Sequence, residues 1–281
     1  MSLATLAEVL DPALAGGYAV AGLVCLGWED MRAYVAAAEV EDCPVILQAG
    51  PSCRAHTPLP VLGKMMCYLA ENASVPVVVH LDHAYSYEEC RTALECGFTS
   101  LMYDGSKKSL AQNIDETAQV VDLAHRHGVS CEGEIGFVGY EGGQGSQGTE
   151  PEEARCFAEQ SKVDAMAISV GNLHLQQRKN AVGLDEARIK AIEAVTRLPL
   201  VIHGGSGVPL AQRSKLARES AICKFNIGTE LRMTFGAALR MALTYDPLRF
   251  DRLQILQETH VPVMEATQKV LRSLKKGTIA Q

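Results

Sequence analysis

The sequence predicts an α/β fold: a (β/α)8 TIM barrel in a single domain, residues 1–281, with a helical C-terminal extension. Three observations predict it. Eight short apolar runs, rich in β-branched residues, alternate strictly with longer helical stretches. Hydrophobic residues make up 47% of the 281, enough for one large core and within the length that one barrel absorbs. No linker or repeat divides the chain, and no Gly-x-Gly-x-x-Gly follows an early strand, so a doubly wound open sheet is the weaker alternative.

The elements follow in order. A first strand over 18–24 precedes a helix over 28–40, and a second strand over 44–48 precedes a helix over 59–72. The third strand, 76–81, is followed by a helix over 86–96, where Ser86 and Glu89 form a capping-box pattern and Gly97 ends the last turn. Strand 100–103 and helix 111–125 come next, and His125 and His127 flank a helix end, where cationic side chains are favoured. The fifth strand, 130–134, leads into a Gly-rich stretch over 139–148, read as an active-site loop, and then a helix over 151–161. Strand 165–170 pairs with helix 185–195, and strand 199–202 with helix 209–218. The eighth strand, 221–227, again runs into a helix. The tail, 247–274, reads as helical with Pro262 as a point for a break, and is suited to packing on the barrel or to an oligomer contact.

Composition narrows the function. A net charge of −7 argues against a general binder of nucleic acid or anionic membrane, so an anionic substrate needs a local device to hold it. Nine cysteines without a Cys-x-x-Cys pair read as free thiols in a reducing compartment. Glu8 and Asp11 stand where a secretory signal would be basic, and no apolar run reaches membrane-spanning length. The expectation is a soluble cytoplasmic protein.

Chemistry concentrates where the strands end. His83 in His80-Leu81-Asp82-His83 and His203 in His203-Gly204-Gly205-Ser206-Gly207 each follow an apolar run, and His174 in Gly171-Asn172-Leu173-His174 follows the sixth strand. That edge is where a parallel α/β protein binds ligands, and three imidazoles with an open position suit a catalytic zinc ion. Asp82, beside a ligand imidazole, is the sharpest acid/base candidate, while His80 reads as a packed, hydrogen-bonded histidine. Glu132 and Glu134 share a strand face; Glu134 is a second candidate metal position, a group that orients a ligand, or part of a barrel salt bridge. Asp104 is either a helix cap or a partner for a ligand imidazole. Gly204-Gly205-Ser206-Gly207 and Asn226-Ile227-Gly228-Thr229 both lead into helices after the seventh and eighth strands, where barrel enzymes build phosphate sites.

In order, these motifs resemble the class II, metal-dependent ketose-bisphosphate aldolases, the family of fructose-bisphosphate and tagatose-bisphosphate aldolases. The similarity includes His80-Leu81-Asp82-His83, Asp104-Gly105-Ser106, Glu132-Gly133-Glu134-Ile135-Gly136, Gly171-Asn172-Leu173-His174, His203-Gly204-Gly205-Ser206-Gly207 and Asn226-Ile227-Gly228-Thr229-Glu230. The resemblance implies Zn2+, or another divalent ion, on His83, His174 and His203, acting as a Lewis acid in reversible retro-aldol cleavage of a ketose (bis)phosphate to dihydroxyacetone phosphate and an aldehyde. It implies that Asp82 exchanges a proton with the C4 oxygen, that Glu141 handles the C3 proton, and that Gly204, Gly205, Ser206, Asn226 and Thr229 hold the phosphate-bearing half. Relatives also bind a monovalent cation (Na+ or K+) near these loops and are homodimers or homotetramers.

The chain departs from the family around the reacting carbons. Val24 stands for an asparagine expected to touch substrate, and Gly50 for a serine. The acidic loop after the fifth strand is reduced to Gly139-Tyr140-Glu141-Gly142-Gly143, Leu175 follows the third histidine in place of glycine, and Lys107 replaces a histidine. A second phosphate, which relatives hold with a C-terminal arginine, would fall to Arg249, Arg252 or Arg272. These departures leave two alternatives: a metal-dependent sugar-phosphate isomerase or epimerase, and a non-catalytic sugar-phosphate-binding relative.

Overall fold

The computed structural model describes residues 2–140, 145–174 and 183–275. In chain order the elements are β1 (Leu3–Ala4), α1 (Leu6–Gly16), β2 (Val20–Val24), α2 (Trp28–Glu41), β3 (Val45–Ala49), α3 (Pro51–His56), α4 (Leu59–Asn72), β4 (Val77–Ala84), α5 (Tyr87–Glu95), β5 (Ser100–Tyr103) and α6 (Leu110–Arg126). They continue with β6 (Ser130–Ile135), α7 (Pro151–Ser161), β7 (Ala165–Ile168), α8 (Glu186–Glu193), β8 (Leu200–Ile202), α9 (Leu210–Glu219), β9 (Ile222–Ile227), α10 (Thr229–Tyr245) and α11 (Arg252–Leu274). Strands β2 to β9 each pair in parallel with the next, and β9 pairs back onto β2, with Val20 opposite Lys224. The ring closes, so the fold is a (β/α)8 barrel and not an open sheet.

Alternation along the strands sorts the side chains into two layers. Leu23, Leu47, Val79, Leu81, Leu101 and Ile202 are buried with the helices outside the ring. Burying each such side chain stabilises the fold by roughly 1.5–3 kcal/mol. Inside the ring, the N-terminal end is apolar: Val20, Ile46, Val78 and Val201 pack against Leu6, Val9, Leu10 and Ala13 of α1, which stops that mouth. Towards the C-terminal end the interior becomes polar, with Gln48, His80, Asp82, Glu132, Glu134, His203 and Lys224 all buried.

Two N-terminal elements escape the sequence reading. β5 joins β4 only from His80 onward, which leaves the lower edge of β4 free, and Leu3 and Ala4 of β1 pair there with Val77 and Val78. Two residues are too few to give a strand signal, and Pro12 inside α1 obscures a helix that a reciprocal Thr5/Glu8 capping box starts. The short α3 was also not expected. The break expected at Pro262 is absent: α11 runs on through it, packed against α2 and α10, at the cost of one backbone hydrogen bond. Ser86 caps α5 by accepting from the Glu89 amide, but the Glu89 carboxylate turns to the Tyr85 amide and Arg54, so the capping box is only half formed. Among the described residues no helix is long and apolar enough to cross a membrane.

Candidate active site

Asp82 and His83 are adjacent, so simple alternation would send their side chains to opposite faces of the sheet. A bulge prevents this. Between Leu81 and Ala84 the register against β5 slips, and His83 takes a left-handed backbone with φ +52°. The His83 ring therefore meets the His203 ring, with centroids 4.7 Å apart, and the His174 ring at 5.3 Å. His174, beyond β7, is held by its backbone amide donating to the Gly139 carbonyl (2.8 Å) and by stacking on Tyr140 (4.9 Å). Gly204, at φ +66°, lies so close that an added Cβ would sit 2.0 Å from the Leu173 carbonyl oxygen, and Asn172 Nδ2 donates to the His203 carbonyl (3.0 Å). The loops carrying His174 and His203 are thus locked together.

Carboxylates orient two of the rings. His83 Nδ1 bonds Asp104 Oδ2 (2.8 Å), and the other Asp104 oxygen accepts from the Ser106 hydroxyl (2.6 Å) and amide, so Asp104 is both turn cap and imidazole partner. His203 Nε2 lies 3.2 Å from Glu132 Oε1, while Lys224 Nζ donates to Glu132 Oε2 (2.5 Å) and meets His80 Nε2 at 3.4 Å. His80 Nδ1 bonds the Ser100 hydroxyl (2.8 Å), which makes it the packed, hydrogen-bonded histidine expected. Asp82 Oδ1 accepts from Gln48 Nε2 (2.8 Å).

These contacts set the charges. Burial works to raise the Asp82 carboxyl, but the charges of His83, His203 and Lys224 outweigh it and hold the group below the ordinary range, so it stays ionised. Burial, then His203 and His83, pushes His174 down to about 3, and burial with Lys224 pushes His80 to about 3, so both rings are neutral. For His203, burial is overridden by Glu132 and Glu134, which raise it to about 10.

A divalent ion fits the donors. One atom each from His83, His174 and His203 lie within 4.8 Å of one another. Asp104 occupies Nδ1 of His83 and Glu132 faces Nε2 of His203, leaving one ring nitrogen on each for an ion. His203 Nδ1 and Glu134 Oε2 stand 3.2 Å apart but are too poorly aligned to hydrogen bond, and neither atom, though buried, has a hydrogen-bond partner among the described residues. An ion at Nδ1 would take the place of the proton that Glu134 otherwise favours there. His83, Asp104 and Glu134 form a second group of this size. The imidazole group is the better centre, because His83 and Asp104 already satisfy each other.

His83 and His174 open onto a cleft of about 270 Å3, with His203 buried behind them. Asp82, His83, His174, Gly204, Ser206, Asn226 and Thr229 all line it. Gly205 does not; it is buried against the Asn226 carbonyl and Ile227. The Ser206 hydroxyl accepts from the Gly228 (3.2 Å) and Glu230 (3.4 Å) amides, joining the loops after β8 and β9. Glu134 sits behind the imidazoles, Glu141 and Leu175 lie outside the described residues, and Lys107 rests over the Phe137 ring at 5.0 Å. Val24 and Gly50, both departures from the family pattern, fall on the cleft wall beside Pro51 and Ser52. Three arginines suggested for a second phosphate are elsewhere: Arg249 pairs with Glu258, Arg272 with Glu41, and Arg252 is exposed at the start of α11. Sequence reading missed Tyr140 and Arg232, which do line the cleft. A separate cavity of about 280 Å3 near Tyr18, Cys43 and Leu274 touches none of these groups.

Over residues 4–277 the chain matches the family described as Fructose-bisphosphate aldolase class-II. A fructose-bisphosphate aldolase of Geobacillus stearothermophilus is 36% identical over 263 residues, which cover 91% of each chain. A 6-phospho-5-dehydro-2-deoxy-D-gluconate aldolase of Shouchella clausii is 34% identical over 281 residues, covering 97% of this chain and 94% of that one. Among solved structures, the YdjI aldolase of Escherichia coli matches with a TM-score of 0.84 and 30% identity, covering 98% of both chains.

Proposed function

The chain belongs to the class II fructose-bisphosphate aldolase family of metal-dependent lyases, and on that premise we propose that it cleaves a ketose phosphate reversibly to dihydroxyacetone phosphate and an aldehyde. The observation that carries this reading is the convergence of three imidazoles beside a buried, ionised aspartate at the catalytic end of the barrel. His83, His174 and His203 would hold a zinc ion, which when bound supplies a Lewis acid for the substrate carbonyl. Asp82 takes the proton of the C4 hydroxyl as the C3–C4 bond breaks and returns it in the condensation direction. Gln48 fixes one of its oxygens, and the missing Cβ of Gly50, which would stand 3.2 Å from Oδ2, leaves room beside the other.

The loops after β8 and β9 supply the phosphate site in this reading. Gly204, Ser206, Asn226 and Thr229 face the substrate and Gly205 shapes the turn, with a monovalent cation bound nearby. Glu141 serves the C3 proton. The protein acts in the cytoplasm as a homodimer or homotetramer.

The test is release of dihydroxyacetone phosphate from a panel of ketose phosphates, including those named for the two relatives, with and without chelator. Zinc-dependent release is expected, and Asp82→Asn should lower kcat by about 10²–10⁴-fold while bound metal is unchanged. Zinc-loaded protein that turned over no member of the panel would falsify the assignment; rearranged sugar without cleavage would point to an isomerase.

A further inference from the structure

We propose that Arg54 positions the acid/base carboxylate and the first metal-binding imidazole together, by fixing the bulged backbone at Asp82 and His83; the inference rests on the aldolase reading above. Arg54 lies in α3, and its side chain is only 7% exposed. Its Nη1 donates to the Ala49 carbonyl (2.5 Å) and the Asp82 carbonyl (2.6 Å), and its Nη2 to the His83 carbonyl (3.0 Å). Its Nε donates to Glu89 Oε1 (2.9 Å), and Glu89 Oε2 accepts from the Tyr85 amide (3.2 Å). One guanidinium thus ties the ends of β3 and β4 to the first turn of α5.

The strand itself creates the need for such a clamp. Ordinary pleating points the carbonyls of consecutive residues to opposite sides. Asp82 and His83 depart from that pattern. Pairing between β3 and β4 ends with Ala49 opposite Leu81, and between β4 and β5 it jumps from Leu81 to Ala84. With His83 at φ +52°, both carbonyls reach one donor group. Three carbonyl oxygens gathered at one point repel one another, and a buried carbonyl left without a donor is costly. A guanidinium carries donors only, in a rigid planar fork, so it serves all three at once; an ammonium cannot hold the same spread. The strained backbone kept in this way puts Asp82 on the cleft and the His83 ring against His174 and His203. Arg54 itself does not line the cleft, so it acts through these two residues and not on substrate affinity.

The experiment compares Arg54→Lys and Arg54→Ala with the parent in three forms: zinc-loaded for kinetics on the ketose phosphates, cobalt(II)-loaded for visible absorption, and metal-free for amide hydrogen exchange. Both variants should lower kcat by roughly 10- to 100-fold with KM close to that of the parent, as a displaced acid/base group requires. The cobalt spectrum should change with the displaced imidazole. Exchange should quicken over residues 81–86 while β7 to β9 keep their protection. Guanidinium ion added to Arg54→Ala should restore part of kcat. Arg54→Lys keeps a cation and the packing of its stem, so it carries the test if the alanine variant does not fold. A folded lysine variant with the parent's kcat and cobalt spectrum would overturn the inference. So would a rise in KM alone, or a loss of kcat that follows only the unfolded fraction. A parent that turns over no ketose phosphate removes the aldolase reading; the cobalt spectrum and the exchange then decide the placing of His83 on their own.

Discussion

Residue by residue, the candidate metal centre is legible because each histidine comes after an apolar run that reads as a buried strand. What sequence does not reveal is how neighbours share a site. Asp82 and His83 both face the cleft only through the bulge and the left-handed backbone at His83, and neither has a residue-type signature, since His83 is not glycine. Arg232 is illegible for another reason: an arginine on a helix reads as solvated until the fold puts it on the cleft wall. Gly204 reads in the sequence as part of a phosphate loop, and in the structure its clearest demand is steric. An alanine there would carry φ +66° and a Cβ 2.0 Å from the Leu173 carbonyl oxygen, one residue before His174. The backbone conformation alone costs about 1–2 kcal/mol, and the clash must move the His174 loop. Gly204→Ala should therefore lower both the thermal midpoint and zinc retained after dialysis. Full zinc content with a lowered midpoint would show that the contact serves stability alone.

At the scale of elements, the alternation of strand and helix was readable and the polar interior of the barrel was not. Lys224 stands with Asn226 as a polar residue in a largely apolar strand, and sequence gives no hint that it crosses the ring from β9 to Glu132 on β6. The register slip between β8 and β9, where Val201 faces Lys224 after Leu200 faces Ile222, turns the lysine inward. Its charge helps hold Glu132 ionised against burial, and Glu132 in turn supports His203. Removing one member of a buried pair is more damaging than replacing both. Lys224→Met should destabilise the fold by about 3–5 kcal/mol, measured by urea unfolding. Adding Glu132→Gln to the same chain should restore part of that loss, because the carboxylate left without its cation is then neutral. A double variant no more stable than the single one would mean that packing around Lys224, and not charge, sets the cost.

Over the whole molecule, the two ends of the barrel divide the work. The N-terminal mouth is apolar and stopped by α1, whereas the C-terminal end gathers groups that are costly to bury and useful only together. His83 lies in β4, while His174 and His203 follow β7 and β8, so the first imidazole is far from the other two in sequence and no local fragment can form the centre. An ion that binds the folded ring and not the unfolded chain must stabilise it by mass action, by about 2.7 kcal/mol at a free concentration 100 times Kd. Zinc added to chelator-treated protein should accordingly raise the thermal midpoint in a concentration-dependent way. His174→Ala separates this from any effect of zinc on the surface: His174 sits on a loop outside the strands and is neutral without an ion, so its loss should leave the metal-free midpoint nearly unchanged while abolishing most of the zinc increment. An increment of the same size in the variant would place the stabilising ion elsewhere and detach the metal from the imidazole centre.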